Sequence, residues 1–344
     1  MELAHRTATL RLAEPFTISR ETTAESDVVW VELRVGDVTG YGEAAPIARY
    51  GESVESASAF LDEVAERLAE TDRDPFALEW LGRFLAGWKG EMAAKAAIDA
   101  ALHDACGKLT RLPVWRLLGL DREGPPTSWT VWLGDPDDMA RRAEGTDRRF
   151  RRLKLKLGGR DGLDVERVRA VRSVTERPLM VDVNEYWAPD EAAQNIGALA
   201  DLGVEYVEQP LPAGHPDGPA LKERSALPIY VDEDCHTLAD VRACAERAHG
   251  INIKLAKSGG IREAVKMAAA GRSLGLGVML GCMLESGLGI AAGAQIASLC
   301  DHVDLDGNLL LANDPWPGVE LSQGAQVPSE DAGLGVREAV PDPR

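Results

Sequence analysis

Alternation of apolar and polar positions marks the first part of the chain as a short β-meander followed by helices. The predicted strands are Thr7–Leu12, Val28–Val35 and Gly40–Glu43. Gly36 and Asp37 separate the last two strands and are typical of a hairpin turn. The predicted helices begin after the capping residue Ser53 and cover Asp74–Leu85 and Met92–Lys108. Strands and helices are segregated here, which predicts an α+β capping domain over residues 1–112.

From about residue 126 the pattern changes to short apolar strands that alternate with helical stretches. The predicted strands are Thr127–Leu133, Arg152–Leu157, Leu179–Asn184, Val204–Gln209, Ile229–Asp234, Ile251–Ala256, Val278–Leu284 and Val303–Asp306. Eight strands with intervening helices favour a closed parallel barrel. No full helix follows the eighth strand, so the predicted fold class is α/β, with a modified (β/α)8 TIM-type barrel, (β/α)7β, over residues 113–314.

The last segment, residues 315–344, is rich in Gly and Pro and is expected to return to the capping domain. The alternative fold is an open, doubly wound sheet. Such a sheet would need a Gly-rich phosphate-binding turn after its first strand. The sequence from Leu133 to Pro136 at that point does not have this character.

Composition limits the possible partners. The 344 residues carry a net charge of -18, which argues against nucleic acid or an anionic membrane as a partner. No apolar run long enough to span a bilayer is found, and Met1–Arg6 does not resemble a signal peptide. The five cysteines are odd in number and lack CxxC spacing, so a reduced, cytoplasmic setting is expected. A homo-oligomer is compatible with these features.

Polar side chains recur at the carboxyl ends of the predicted barrel strands. Lys154 and Lys156 lie two residues apart on one strand and therefore point the same way. Taken alone, such a pair could guard a solvated strand edge. Seven successive strands, however, end in charged or amide side chains. Active sites of these barrels lie at that end, so the recurrence predicts a shared polar site.

Three carboxylates on adjacent strands, Asp182, Glu208 and Asp232, form an all-oxygen set. Hard oxygen ligands without His or Cys favour Mg²⁺. Three separate buried salt bridges are the alternative interpretation.

Lysine-bearing strands precede and follow these carboxylate strands. Lys154 and Lys156 come before them, and Lys254 comes after. Two bases on opposite faces of a planar intermediate are what a 1,1-proton transfer requires, with a metal holding the enediolate. An ordinary ion pair with Asp232 or Asp234 is the alternative role for Lys254.

These motifs resemble those of the enolase superfamily, in its muconate-lactonizing subgroup, and they follow the family's order over nearly the whole chain. They are Lys154-x-Lys156, Asp182-x-Asn184, Glu208-Gln209-Pro210, Asp232-Glu233 and Lys254-Leu255-x-Lys257-x-Gly259-Gly260. A lysine base and a magnesium-stabilised enediolate are established chemistry of that superfamily. The resemblance implies that Asp182, Glu208 and Asp232 bind Mg²⁺. It also implies that Lys156 and Lys254 are the acid/base pair, supported by Lys154, Asn184 and Glu233.

Within the subgroup, Asp304-x-Asp306 resembles the motif of the dipeptide epimerases of the L-Ala-D/L-Glu epimerase type. The resemblance implies that these two aspartates hold the free ammonium of a dipeptide, and two anions on one strand face suit a cation. Further matches place Tyr50, Cys282 and Met283 among the substrate-binding residues. The chain departs from the family's usual Asp-Glu-Ser at Asp234. Glu285, an extra acid after the seventh strand, is predicted to affect which dipeptides fit.

The loop of residues 16–23 carries one basic residue, Arg20, and in the resembling epimerases this loop covers the barrel mouth. An arginine can hold a carboxylate with two hydrogen bonds, which predicts an acidic second residue and L-Ala-L-Glu as the leading substrate. A surface pair of Arg20 with Glu21 or Glu52 is the alternative. The alternative functions are a cycloisomerase or o-succinylbenzoate synthase of the same subgroup, and a non-catalytic metal-binding barrel.

Overall fold

The computed structural model describes residues 1–339, and the last five residues lie outside the described part of the chain. The chain begins with an antiparallel sheet in the order β1-β2-β3. Its strands are β1 (Glu2–Thr17), β2 (Thr22–Val35) and β3 (Val38–Ala44). The helices that follow are α1 (Val54–Ala69), α2 (Leu78–Leu85), α3 (Met92–Thr110) and α4 (Val114–Leu117). The α+β character predicted for this region is therefore observed.

The first hairpin is longer than the sequence pattern predicts. β1 pairs with β2 from Glu2↔Arg34 to Arg11↔Glu25, and the pairing resumes at Phe16 after an irregularity. Pro15 lies in this irregularity, where a missing N–H donor is tolerated. The result is a long two-stranded arm that extends beyond the sheet and ends in a turn at residues 18–21.

Helix α3 packs very closely on strand β3, and two glycines make this possible. A Cβ atom on Gly40 would lie 1.9 Å from the carbonyl oxygen of Ala101, and one on Gly42 would lie 2.0 Å from that of Ala97. Only glycine fits such a close backbone approach. The Ser53 cap predicted for α1 is confirmed, since its hydroxyl accepts from the Ser56 N–H at 3.1 Å.

The second part of the chain is a parallel sheet of eight strands in sequential order. Its strands are β4 (Ser128–Val131), β5 (Arg152–Lys156), β6 (Leu179–Asp182), β7 (Val204–Glu208), β8 (Ile229–Val231), β9 (Gly250–Lys254), β10 (Gly277–Gly281) and β11 (His302–Asp304). A parallel bridge between Thr127 and Val303 brings the first and last strands together, so the sheet curls into a barrel. This confirms the closed barrel over the open doubly wound sheet.

Helices connect the barrel strands along the outside. They are α5 (Pro136–Gly145), α6 (Asp164–Arg172), α7 (Pro189–Asp201), α8 (Gly218–Arg224), α9 (Val241–Arg247), α10 (Leu255–Ser258), α11 (Ile261–Ser273) and α12 (Gly287–Ala294). Within residues 1–339, the helical structure after β11 is limited to a 3₁₀ turn, Gly307–Leu310, as the (β/α)7β prediction requires. No helix within residues 1–339 combines the length and apolar character needed to cross a membrane.

The two sheets are joined by buried contacts and by the C-terminal segment. Glu43, at the end of β3, accepts hydrogen bonds from the Ser286 N–H at 2.8 Å, the Ser286 hydroxyl and the Trp30 indole N–H at 2.7 Å. A short hairpin of β12 (Glu320–Ser322) and β13 (Ala325–Val327) precedes the last described residues. Gly333 then accepts from Val114 at 3.0 Å, and Glu338 pairs with Arg6 on β1.

Candidate active site

Charged side chains converge at the carboxyl end of the barrel, as the strand-end pattern predicts. The residues that end a strand are Lys156 on β5, Asp182 on β6, Glu208 on β7, Lys254 on β9 and Asp304 on β11, while Asp232 directly follows β8. In the sheet order, the three carboxylate strands β6, β7 and β8 lie between the lysine strands β5 and β9. Lys156 and Lys254 therefore approach the carboxylates from opposite sides.

Lys154 is the buried centre of this group. Its ammonium lies 2.7 Å from Asp304, 2.8 Å from Glu208 and 3.1 Å from Asp182, and its side chain is 1% exposed. Burial favours a neutral amine, but these carboxylates outweigh it and raise the pKa of Lys154 well above its ordinary value. Lys154 thus links acids from three other strands, β6, β7 and β11, at the base of the barrel.

Lys156 points into the same space, two residues further along β5. Its ammonium contacts Asp182 at 2.6 Å and lies 3.4 Å from the side-chain oxygen of Asn184. Burial disfavours the ionised carboxylate of Asp182, yet Lys156 and Lys154 hold its pKa below the usual value. The alternation predicted for β5 therefore brings both lysines into the barrel.

Lys254 lies on the opposite side and contacts Asp232 at 2.8 Å. Although burial favours the neutral amine, Asp232 outweighs it and raises the pKa of Lys254. The ion pair considered as the alternative for Lys254 is present, and Lys254 also lines the pocket described below. Lys254 therefore forms the ion pair with Asp232 and also lies in the candidate active site.

Lys257, in the motif that begins at Lys254, holds Asp232 in the protein interior. Its ammonium contacts a carboxylate oxygen of Asp232 and three carbonyl oxygens, those of Asp232 at 2.6 Å, Cys235 at 2.9 Å and Asn252 at 3.1 Å. All of these groups are buried. Lys257 therefore holds one oxygen of Asp232 from the protein interior, while Lys254, which lines the pocket, contacts the other oxygen.

Glu208 has a further partner that sequence reasoning missed. The side-chain amide of Asn252, on β9, donates to one Glu208 oxygen at 2.7 Å. Burial and the neighbouring Asp182 charge raise the pKa of Glu208. The Asn252-x-Lys254 spacing was the available signal, since it places the amide on the same barrel-facing side as Lys254.

Asp304 and Asp306 have different surroundings. Asp304 accepts from the Ser128 hydroxyl and from Lys154, and although burial opposes ionisation, Lys154 holds the pKa of Asp304 below its usual value. Asp306 accepts from the Thr130 N–H at 2.7 Å. Burial, together with the Asp304 charge, raises the pKa of Asp306 to about 7. Asp306 is therefore the aspartate whose charge is not matched by a lysine contact.

Arg20 reaches the barrel rather than a surface acid of its own loop. One guanidinium nitrogen contacts Glu233 at 3.0 Å, Glu185 at 3.2 Å and the carbonyl oxygen of Asn184 at 3.2 Å. Glu52, one alternative partner, instead accepts from the first N–H groups of α3. Arg20 thus lies at the junction between the hairpin turn and the strand-end carboxylates.

A pocket opens above these residues, between the barrel and the capping loops. It is lined at its base by Lys154, Lys156, Asn184, Asp232, Lys254, Asp304 and Asp306, and on its walls by Phe16, Ile18, Arg20, Ile47, Tyr50, Cys282, Met283 and Leu310. Tyr50 packs edge-on against His236, with ring centroids 4.5 Å apart. Glu285 does not line the pocket, and its carboxylate accepts from the Met283 N–H at 2.9 Å.

The donor set of Asp182, Glu208 and Asp232 fits a hard divalent cation in its chemistry. All three are buried carboxylates on adjacent strands, and one oxygen of the neighbouring buried Glu233 has no hydrogen-bond partner. Within residues 1–339 no three acidic, His or Cys side chains stand close enough to hold an ion in the present arrangement. Ammonium groups lie between the carboxylates instead, so a cation would have to displace lysine contacts.

Fold and site together define a class: a barrel with strand-end lysines and carboxylates beneath an α+β cap. Two family models match the chain. One, described as the N-terminal domain of mandelate racemase / muconate lactonizing enzyme, matches residues 1–119, and one described as enolase C-terminal domain-like matches residues 138–338. The chain belongs to the enolase superfamily, which confirms the resemblance stated from the motifs.

Several similar proteins in this family are epimerases of dipeptides. The chain is similar to the L-Ala-D/L-Glu epimerase of Bacteroides thetaiotaomicron, with 39% identity over 95% of this chain and 85% of the relative. It also resembles a substrate-liganded structure of the Bacillus subtilis L-Ala-D/L-Glu epimerase, with a TM-score of 0.91, 31% identity and coverage of 99% and 100%. A dipeptide epimerase of Enterococcus faecalis in complex with Mg and L-Leu-L-Tyr has a TM-score of 0.90 at 31% identity, with coverage of 97% and 98%.

Proposed function

We propose that this protein is a dipeptide epimerase that inverts the α-carbon of the C-terminal residue by 1,1-proton transfer. The observation that carries the proposal is the placement of Lys156 and Lys254 on opposite sides of three carboxylate strands, at the base of one pocket. The names of the similar proteins support the same reaction class. The chemistry needs a base on each face of the substrate carbon.

Asp182, Glu208 and Asp232 would hold Mg²⁺, as their oxygen donors and burial suit it. When bound, the ion would stabilise the negative charge of the enediolate formed from the substrate carboxylate. The Mg-containing structure of the Enterococcus faecalis relative supports this assignment. Lys154, a buried cation among these acids, would add positive charge beside the substrate carboxylate.

The two lysines would exchange roles according to the direction of reaction. One removes the α-proton, and the other donates a proton to the opposite face. Asp306, at the base of the pocket, would hold the substrate ammonium, and Asp304 would keep Lys154 in place. Asn184 and Glu233 would support the site, since the Asn184 amide lies 3.4 Å from a Glu233 oxygen.

Proton exchange in D₂O tests the two-base assignment. Wild type should exchange the α-proton of both epimers and interconvert them. Lys254→Ala and Lys156→Ala should each lose epimerisation, and each should retain exchange with only one epimer, opposite in the two variants. Epimerisation at the wild-type rate in either variant would contradict the assignment.

The metal assignment is tested separately. Removal of divalent ions by a chelator should abolish turnover, and added Mg²⁺ should restore it. Metal-stripped enzyme that retains full activity would exclude a metal-assisted mechanism.

For the substrate, we propose L-Ala-L-Glu, with Arg20 contacting the acidic side chain. Arg20 lines the pocket, although its present contacts are with Glu185 and Glu233. The apolar wall residues Phe16, Ile18 and Ile47 favour instead a hydrophobic dipeptide, like that bound to the Enterococcus faecalis relative. These two specificities make opposite predictions.

A substrate profile decides between them. Wild type and Arg20→Ala would be assayed with Ala-Glu, Ala-Gln and Ala-Leu. The Arg20 proposal requires that wild type prefer Ala-Glu, and that the variant lose this preference while still converting the neutral dipeptides. A wild-type preference for Ala-Leu would assign the selectivity to the apolar wall.

A further inference from the structure

Two turns of the capping domain form part of the pocket wall. The 18–21 turn, at the end of the first hairpin, contributes Ile18, Arg20 and Glu21. The 47–50 turn, which includes a 3₁₀ segment, contributes Ile47 and Tyr50. Each turn must be held against the barrel for the pocket to keep its shape, so the contacts that hold them bear on substrate binding.

One barrel side chain, Glu185, contacts both turns. Arg49 of the 47–50 turn donates to both carboxylate oxygens of Glu185, at 2.8 and 3.0 Å. Arg20 of the 18–21 turn donates to one of these oxygens at 3.2 Å, and the backbone N–H of Ala213 donates to the other at 2.9 Å. The Glu185 side chain is only 11% exposed, so these charge-assisted contacts are partly shielded from water.

The backbone at this position is also specifically held. Asn184 and Glu185 have φ values of 46° and 73°, in the left-handed region that non-glycine residues rarely adopt. The Glu185 N–H donates to the Gln209 carbonyl at 2.9 Å, and the Asn184 N–H donates to Asp182 at 3.0 Å. The turn after β6 is therefore tied to a proposed metal ligand at one end and presents Glu185 to the capping domain at the other.

We propose that Glu185 is a positioning residue that couples the two turns and holds Arg20 and Tyr50 in place against the substrate. The proposal rests on the dipeptide epimerase function proposed above. Because the two arginines share one carboxylate, displacement of one turn weakens the contact that holds the other. Glu185 comes directly after the Asp182-x-Asn184 motif, so the element that carries a metal ligand also fixes the pocket wall.

The variant Glu185→Gln keeps the size of the side chain and an acceptor for Ala213, but it removes the charge. We expect the KM for dipeptides to rise roughly tenfold, with a smaller change in kcat, since charge-assisted contacts in the wall are lost while the lysines are untouched. Hydrogen exchange of the backbone amides at residues 16–23 and 46–52 should become faster together. A KM and an exchange pattern equal to wild type would overturn the proposal.

A matched control is available in Glu79→Gln. Glu79, on α2, also pairs with basic side chains across to the barrel, Arg262 and Lys266 on α11, but it lies outside the pocket. This variant should leave KM and the exchange of both turns unchanged. A similar rise in KM would mean that any ion pair between the capping domain and the barrel has the effect, which would contradict a specific role for Glu185.

A double-mutant cycle with Arg49→Gln tests the coupling and also supplies a second variant if Glu185→Gln folds poorly. Arg49 is 46% exposed, so its replacement leaves the core intact. If Arg49 acts through Glu185, the double variant should have the same KM as the more affected single variant. Effects that multiply would show that the two residues act independently. Faster exchange in the 18–21 turn of Arg49→Gln, which Arg49 does not contact directly, would support the coupling.

The exchange measurement needs no substrate and so separates this proposal from the proposed function. If wild type converts no dipeptide but Glu185→Gln loosens both turns, the positioning role stands and the epimerase function fails. If wild type epimerises dipeptides and the variant leaves both turns protected, the positioning role fails alone.

Discussion

At the scale of single residues, Asp304 and Asp306 belong to one motif but have different electrostatic environments. Asp304 is matched by the Lys154 ammonium, whereas Asp306 accepts only from the Thr130 backbone among the hydrogen bonds described. Sequence spacing predicted that both face one way, and both do line the pocket. It could not show that Lys154 neutralises Asp304, because that contact joins strands 150 positions apart in the chain.

The raised pKa of Asp306 should make the proposed binding of a substrate ammonium pH-dependent. Its pKa of about 7 means that the carboxylate becomes protonated, and loses its attraction for a cation, as the pH falls through neutrality. In wild type, kcat/KM for a dipeptide should therefore decrease on the acid side of about pH 7. The pH profile of initial rates at low substrate concentration measures this.

Asp306→Asn is the matching variant, because it keeps the size of the side chain and removes the titrating group. We expect kcat/KM to fall by about one to two decades at neutral pH, as a charge-assisted contact is worth roughly 1.5–3 kcal/mol. The decrease in kcat/KM at acid pH should become smaller in this variant, because the Asp306 carboxylate no longer titrates. An unchanged decrease would mean that another group is responsible for it.

At this scale the sequence predicted which side chains lie together at the base of the barrel, but not the contacts at its rim. Lysines and acids at strand ends follow from strand alternation and from the known location of barrel sites. The hydrogen-bond partners of Arg20 and Glu285 depend on the conformation of the loops at the barrel mouth. The Glu285 carboxylate accepts from the Met283 N–H, and Arg20 donates to Glu185. The spacing of residues along the sequence predicts neither contact.

At the scale of elements, the predicted strands were found at the expected places but with different ends. β8 stops at Val231, three residues before the predicted end. The backbone N–H groups of Asp232 and Asp234 donate to the side-chain oxygen of Gln209 and not to a neighbouring strand. β1 runs further than predicted in both directions, since pairing with β2 continues through exposed polar positions. Hydrophobic periodicity reveals a strand only where one of its faces is buried. It does not predict strand pairing where both faces are exposed.

Lys257 shows what holds neighbouring elements together beneath the site. It bridges the end of β8, the chain after it and β9, entirely within the protein interior. Lys257→Met removes the charge at similar volume and leaves Asp232 with one fewer partner. We expect the free energy of unfolding to drop by about 3–5 kcal/mol, as for other broken buried ion pairs, measured by urea denaturation.

Lys266→Met is the control for this loss. Lys266 lies on α11, is 36% exposed, and contacts Glu79 and Glu263 only at 3.5 and 3.9 Å. Its replacement should change the free energy of unfolding by less than about 0.5 kcal/mol. Equal destabilisation by both variants would show that Lys257 owes its effect to charge in general and not to its buried contacts.

At the scale of the whole molecule, Glu43 joins the capping sheet to the N-terminus of α12 without a basic partner among its hydrogen bonds. Burial raises its pKa to about 8, from an ordinary value of 4.5, so the folded protein retains a proton that the unfolded chain releases. Stability from this group is therefore complete below about pH 4.5, falls as the pH rises, and stops falling above about pH 8. Urea midpoints measured across this range should show the decline.

Glu43→Gln removes this titration while leaving an oxygen to accept from Ser286. The decline in stability across the same range should be smaller in the variant than in wild type. Parallel curves for the two proteins would show that Glu43 does not contribute to the pH dependence.

The lysine contacts at the base of the barrel bear on whether the protein needs a metal ion in order to fold. Asp182 and Asp232 each have an ammonium partner supplied by the chain itself, so they need no outside counterion to be tolerated in the interior. The barrel is therefore expected to fold without the proposed Mg²⁺, because these carboxylates are already paired within the chain. Chelation should accordingly abolish activity while leaving the protein folded, with only the modest loss of thermal stability that release of a bound ion causes. Unfolding of the protein on chelation at room temperature would contradict this expectation.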